Sequence, residues 1–415
     1  MHAVQTAGGK NPAGSLCHRI ANNARCGLTL FLLAACLPAA VCAADQDAAT
    51  DEATAKLIAT ITAVGGNGEG NVPAVQALKE LQKQPASAIV PVLSAFSDAG
   101  IISQNLLRSA VESIADSTVD AGSKLPVEEL TAFVEDTDHH PRARRLAFEL
   151  VKQSDETKAT ELLQGLLTDP SPELRRDAVQ LRMDAAAALT GEEQQKEAVA
   201  LYQEAMKGAV DDDQVKAISA ALKKAGIEVD LQQHFGFLTQ WKVVGPFDNK
   251  DKVGFAAVYP PEKGVDFDAT YDGQSGEVKW QPLKTEDDYG IIDVAEQLEN
   301  WKGSVVYAAT VVDVAEARQA EIRLGTPNAW KLWVNGKLLF GREEYHRGMK
   351  LDQYRVPVEL KQGRNVILLK VCQNEQTENW AQRYRFQVRV CDPAGSALPA
   401  KEIRLISWSE PAPAE

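Results

Sequence analysis

The dipeptide Asn335-Gly336 constrains this chain more than any other feature. It lies between two apolar, β-favouring runs, Ala329-Trp-Lys-Leu-Trp-Val334 and Lys337-Leu-Leu-Phe340. Both central residues of a type I′ turn need positive φ, which Gly adopts freely and Asn tolerates, so the spacing predicts a tight antiparallel hairpin over Trp330–Phe340. Downstream, Tyr354, Val356, Val358 and Leu360 alternate with Arg355, Pro357 and Glu359, the pattern of a half-buried strand. Pro357 cannot donate to a ladder, which places that strand near an edge. Lys361–Asn365 then turns the chain into Val366–Val371, a nearly unbroken apolar run expected to be covered on both faces.

At Trp241 the composition shifts to β-branched residues, aromatics, Gly and Pro. Short runs recur between turn signals: Trp241–Phe247, Val253–Tyr259, Val278–Leu283, Val305–Val314 and Ala320–Leu324, then the hairpin and its successors through Cys391. Closely spaced strands without intervening helices predict an antiparallel sandwich. Val366–Cys372 and Tyr384–Cys391 are expected to be neighbouring antiparallel strands, with Cys372 at one end and Cys391 at the other. Seven strand residues span roughly 23 Å and a disulfide needs Cα atoms within about 7 Å, so these cysteines are expected to stay unbonded.

The first 44 residues read differently. They hold Lys10, Arg19 and Arg25 and no acid, then the apolar run Leu28–Val41, then Cys42, Ala43 and Ala44. This is the pattern of a secretory signal cut after Ala43 or Ala44, and the apolar run is too short for a standard membrane span. The rival reading is a lipoprotein signal at Leu33-Ala-Ala-Cys36. An exported protein, periplasmic or extracellular, is expected, with no transmembrane segment once the leader is gone. Its removal takes the formal charge from −14 to −17, which makes nucleic acid a poor partner. Only Cys372 and Cys391 then remain, so the chain is no disulfide scaffold.

From Asp51 to about Lys224 the apolar spacing is helical, and the segment repeats itself. Thr137-Asp138, Pro141, Arg144-Arg145, Ala147 and Leu150 match Thr168-Asp169, Pro172, Arg175-Arg176, Ala178 and Leu181 at one fixed offset, with a weaker copy at Leu107–Val111. These residues resemble the HEAT-type repeat, which implies a right-handed stack of helical hairpins that binds other proteins. A last hairpin is expected over Glu192–Gly208 and Asp211–Ala225, its second helix opened by Asp211-Asp-Asp and stopped by Gly226. His139-His140 reads as solvated first-turn residues rather than a metal site, and the arginine pairs as partners of acids such as Asp138 and Asp169. Gly65–Gly70 has the composition of a phosphate loop but follows a helix, so it reads as a flexible loop.

The strand-rich half carries a second resemblance. Trp241-Lys-Val-Val-Gly-Pro-Phe247, Gly254-Phe255, Tyr259-Pro-Pro-Glu262, Trp333–Lys337 and Gly363–Val371 are similar to the galactose-binding-like sandwich attached to exported bacterial HEAT-repeat proteins. They also resemble the sugar-binding-like sandwich of family 2 glycoside hydrolases. The resemblance implies a jelly-roll sandwich and carries no ligand motif. The expected layout is a signal peptide over 1–44, a HEAT-like all-α solenoid over 45–226 and a connector over 227–240. An all-β antiparallel sandwich over 241–393 and a tail over 394–415 complete it.

No nucleophile elbow, zinc motif or Cys-x-x-Cys occurs, so no catalytic residue, metal ligand or cofactor is assigned. Trp330 and Trp333 read as core. If the strands run up and down, the turns at Asn335-Gly336 and Lys361–Asn365 share one end. Thr326–Asn328, Arg342–Gln353 and Gln373–Gln382 share the other, gathering Tyr345, His346, Arg347, Asp352, Gln373, Asn374, Trp380 and Arg383. Polar side chains and aromatics on loops held by a sheet suit sugar recognition. The expected function is an exported non-catalytic interaction scaffold, with protein on the helices and carbohydrate on the sandwich. The competing reading is a carbohydrate-active enzyme, or an accessory subunit of one, that draws on Glu343, Glu344, Glu375 and Glu378.

Overall fold

Proline, aspartate and alanine set the helices of the N-terminal half. The computed structural model describes residues 39–407, with side chains from Asp51; residues 1–38, with Cys36, and the last eight residues of the tail lie outside this description. The helices are α1 (Ala39–Thr62), α2 (Asn71–Leu81), α3 (Ile89–Ser94), α4 (Ile101–Asp120), α5 (Val127–Glu135) and α6 (Pro141–Ser154). They continue with α7 (Glu156–Gly165), α8 (Pro172–Ala188), α9 (Gln195–Gly208), α10 (Asp212–Lys224) and α11 (Leu231–Phe235). Pro141 and Pro172 occupy the first turns of α6 and α8, where a missing N–H leaves no hydrogen bond unmade. The Asp155 and Asp230 carboxylates cap α7 and α11 by accepting from the third backbone N–H. One apolar core runs from Ile61 through Leu107, Val134 and Phe148 to Ala178. Among the described residues no helix is long and apolar enough to cross a membrane.

The repeated Arg-Arg positions divide their work. Arg144 is fully buried and grips Asp169 through two nitrogens at 2.8 and 2.7 Å while donating to the Val134 carbonyl. Arg175, its counterpart, donates to the Gly208 carbonyl at 2.7 Å. The following arginines stay at the surface and reach the second helix onward, Arg145 to Asp177 and Arg176 to Asp211 and Asp213. The expected pairing with Asp169 therefore forms, but the one with Asp138 does not; each arginine faces the next hairpin, and Asp138 stays exposed in the loop behind it. The histidine pair also differs from the reading as solvated residues. His140 caps α6 by accepting from the Arg142 N–H at 3.1 Å, and His139 stacks on Phe133 with ring centroids 3.8 Å apart.

The strands are β1 (Gln240–Asp248), β2 (Thr270–Gly273), β3 (Gly276–Lys279), β4 (Gln281–Lys284), β5 (Ile292–Asp293), β6 (Ser304–Val314) and β7 (Arg318–Gly325). They continue with β8 (Ala329–Val334), β9 (Lys337–Arg342), β10 (Tyr354–Leu360), β11 (Gly363–Gln373), β12 (Arg385–Cys391) and β13 (Ile403–Leu405). One antiparallel sheet has the order β4-β1-β6-β11-β8-β9, with β13 also on β6; the other has the order β10-β7-β12-β5. Their facing apolar residues, among them Val306, Ile367 and Trp330 from the first sheet and Ile322, Val356 and Phe386 from the second, form a single core. Asn335 and Gly336 have φ of 52° and 79°, as a type I′ turn requires, and β10 lies at an edge with its alternation intact.

The run over β11 is buried on both faces because residues 249–280 cover the outside of the first sheet. Phe247, Tyr307, Trp333, Leu368 and Cys372 there meet Phe255, Tyr259, Phe267 and Trp280. Lys370, fully buried on this face, donates to Glu262 at 2.7 Å and to the Ala257 carbonyl at 2.6 Å, which clasps the cover to the sheet. Three expectations fail in this region. Val253–Tyr259 is not a strand but the helical turn α12 (Val253–Ala256) and a loop, apolar because it covers the sheet. Val278–Leu283 breaks at Trp280 into β3 and β4, which pair with different partners. Finally, β11 and β12 are not neighbours: the chain after Gln373 crosses to the other sheet, where β12 pairs with β7 and β5. Cys372 and Cys391 are nonetheless free and buried.

Residues 227–240, expected as a connector, hold α11 and bury Phe235, Phe237 and Leu238. Phe235 and Phe237 pack with Val179, Met206 and Ile218 of the helices and with Tyr289 of the strand-rich half. The Tyr289 hydroxyl donates to Asp212 at 2.7 Å, Lys216 lies 5.2 Å from the Tyr289 ring centroid, and the His234 ring nitrogen meets the Ala209 carbonyl at 2.9 Å. From Ala53 onward, helices and sheets thus make one compact unit.

Candidate functional site

Two asparagines establish which connections share an end of the sheets. Asn335 Nδ2 donates to Asn365 Oδ1 at 2.9 Å and Asn335 Oδ1 accepts from the Val366 N–H at 3.0 Å, so the two short turns lie side by side. The longer connections meet at the opposite end. There Asn328 Nδ2 donates to Gln373 Oε1 and to the Arg383 carbonyl, both at 3.2 Å, and Gln373 Nε2 donates to the carbonyls of Ala381 and Arg383. Gln373 is completely buried, so it holds the 374–383 loop in place and offers a ligand nothing.

Above this buried node stands a graded aromatic surface. His346, in the left-handed region at φ 56°, donates through Nε2–H to Asn374 Oδ1 at 2.7 Å. Its ring meets the Trp380 indole edge-on, centroids 5.1 Å apart at 89°, and Trp380 is 60% exposed. Tyr345, half-buried, accepts from Asn249 Nδ2 at 3.3 Å, while the same nitrogen donates to the Gln373 carbonyl at 2.9 Å. Burial pushes the Tyr345 phenol well above its ordinary range, so it stays protonated. Asp251 and Lys252 follow with φ of 55° and 63°; the Asp251 N–H is held by Glu375, and Lys252 Nζ lies 5.4 Å from the Tyr345 ring centroid. Non-glycine residues in left-handed conformations persist only where their surroundings impose them, and three fall on this one surface.

Of the eight residues expected here, Tyr345, His346, Asn374 and Trp380 come together, with Gln373 beneath them. Arg383 is exposed and contributes its carbonyl to the node, and Arg347 is exposed and paired with Glu344 at 2.8 Å. Asp352 is elsewhere. It sits under β7 and β12, bonded by Arg389 at 2.7 and 2.6 Å and by Arg323 at 2.6 Å. Burial raises its carboxyl, but Arg389 and Arg323 outweigh that and hold it below the usual carboxylate range. Asn249 and Lys252 were missed, and Glu375 was weighed only as a catalytic acid; Asn249 follows the first strand, and its direct tie to Tyr345, far along the chain, left no trace in the local pattern. Glu344 serves Arg347 and Tyr354, and Glu375 serves the Asp251 N–H. Among the described residues no cluster of three His, Cys, Asp or Glu side chains is placed to hold a metal ion.

No protein-family model matches the chain, and no curated protein matches it either. Among solved structures, a family 31 α-xylosidase from Xanthomonas citri is 12% identical over 38% of this chain and 18% of that one, at a TM-score of 0.20. A β-glucosidase from Kluyveromyces marxianus is 9% identical over 75% of this chain and 38% of that one, at a TM-score of 0.26. The chain therefore matches well under half the length of either enzyme, and at these TM-scores neither likeness bears on fold or activity.

Proposed function

We propose that the chain is an exported, non-catalytic binding protein in which a HEAT-like helical array serves a protein partner and a galactose-binding-like sandwich takes carbohydrate at its loop end. The observation that carries the reading is the Trp380 indole, largely exposed yet fixed edge-on by His346, which Asn374 fixes in turn. An aromatic face held in one orientation with amides and a cation nearby offers a sugar ring both an apolar platform and partners for its hydroxyls. Two of the carboxylates of this end, Glu344 and Glu375, act as internal ties, to Arg347 and to the Asp251 N–H, which fits them poorly for a hydrolytic pair. A glycan-array screen of the full chain tests the proposal. At least one glycan is expected to bind, and Trp380→Ala to weaken it roughly thirtyfold, the effect of losing a central aromatic contact of about 2 kcal/mol. A blank array, or an unaltered Trp380→Ala profile, refutes it.

A further inference from the structure

Away from the loop end, the two sheets are open to one another along the side where β9 and β10 form their edges. β9 pairs only with β8 and β10 only with β7, so each leaves one row of backbone groups without a strand partner. Two hollows, of about 710 and 550 Å³, share Lys337, Leu339 and Pro357 and run between these edges. β9 shows solvent two large apolar side chains, Leu338 at 49% and Phe340 at 47% exposure. Exposed aliphatic and aromatic side chains beside an open strand edge are an association hazard unless charge guards them.

The charge around the smaller hollow is of one sign, whereas Glu321 and Glu359 line the larger one, so the smaller hollow is the part an acidic partner fits. Lys337, Arg342 and Arg355 surround the exposed Leu338 and Phe340, on a chain whose formal charge is −14. Among the described residues neither Lys337 nor Arg355 has an acidic partner, and Arg342 meets Glu344 only at 3.5 Å. A second copy is disfavoured by the same charges, because antiparallel pairing of β9 with itself sets Lys337 against Arg342. An acidic segment meets attraction at each of these points. Pro357 removes a backbone donor from β10, which leaves β9 as the edge to which a strand can add.

We propose that the side of the sandwich between β9 and β10 binds an extended segment of a partner protein, with apolar residues on Leu338 and Phe340 and carboxylates against Lys337 and Arg355. Tyr354–Pro357 of β10 walls the smaller hollow, and the six residues of β9 accompany a segment roughly 20 Å long. The site is separate from the loop end, so it stands or falls independently of carbohydrate binding.

Fluorescence anisotropy on the full chain with two labelled probe peptides provides the test, one Glu-Val-Thr-Val-Thr-Glu and the other Lys-Val-Thr-Val-Thr-Lys. The acidic peptide is expected to bind roughly tenfold more tightly than the basic one, as reversal of two exposed charge pairs implies. Lys337→Glu combined with Arg355→Glu should invert that preference; both side chains are exposed, so the melting temperature should not move. Equal affinity for the two peptides, binding of neither, or a preference that survives the double reversal overturns the proposal. A concentration-dependent dimer abolished by Phe340→Asp also overturns it, since the edge would then belong to a second copy.

Discussion

Trp333 and Trp380 show how far two indoles of one domain can differ in what they do. Trp333 is nearly buried among Phe247, Leu368 and the covering segment, whereas Trp380 stands largely in solvent. Trp333→Ala is therefore expected to cost about 3–5 kcal/mol of stability through lost transfer energy and a residual cavity, while Trp380→Ala leaves the urea midpoint nearly unchanged. Lys370 supplies a second test. Replacing it by Met leaves the Glu262 carboxylate buried without its cation, with an expected loss of about 3–5 kcal/mol, and adding Glu262→Leu should restore much of it. Chemical denaturation of the single and double variants measures the difference. The core role of Trp333 was legible in the sequence because apolar neighbours surround it within its own hairpin. The pairing of Lys370 with Glu262 was not, because a lysine in an apolar run carries no sign of a partner so distant in sequence.

At the scale of single elements, period-two alternation was a sure guide where only one face is buried. β10 was legible for that reason, down to its edge position from Pro357. β11 was legible as a doubly covered strand, yet an apolar run names no neighbours, and β12 proved to belong to the other sheet. Val253–Tyr259 misled because its apolar residues serve the cover and not a ladder. The loop end was legible from the parity of hairpins alone, whereas Asp352 was assigned to it only because it shares a loop with His346. The cysteines give a prediction at this scale. Burial pushes the Cys372 thiol up to about 12 and the Cys391 thiol up to about 11, so neither should react with a maleimide at pH 8 in the folded chain, and both should react once it is denatured. Rapid labelling of either thiol in native protein would contradict the strand assignments.

On the scale of the whole molecule, the contact between helices and sheets is a packed core, and its polar groups make it sensitive to acid. Burial lowers the basicity of His234, and Arg389 and Arg175 lower it further against the opposing bond to Ala209. The unfolded chain therefore takes up a proton near pH 6.5 that the folded chain refuses. Stability from this group is fully present above pH 6.5 and is lost as the pH falls below it, by at most roughly 1.4 kcal/mol per pH unit. His140, depressed by burial and by Arg142, adds in the same direction. Urea midpoints measured between pH 5 and 7 should fall with acid, and His234→Gln should flatten the slope; an unchanged slope would show that this histidine titrates normally.

The 343–353 loop leads from the aromatic surface to this contact. Tyr345 and His346 stand at one end of it; near the other, Leu351 packs with the Phe235 cluster and Asp352 grips Arg389, which itself donates to the Phe235 carbonyl. One short length of chain thus joins the aromatic surface to the packed contact between helices and sheets. A sugar held at Trp380, as proposed, would have no slack between it and the helices, so a partner proposed for the helical array would be presented at a set angle to it, as a bracket presents a shelf to a wall.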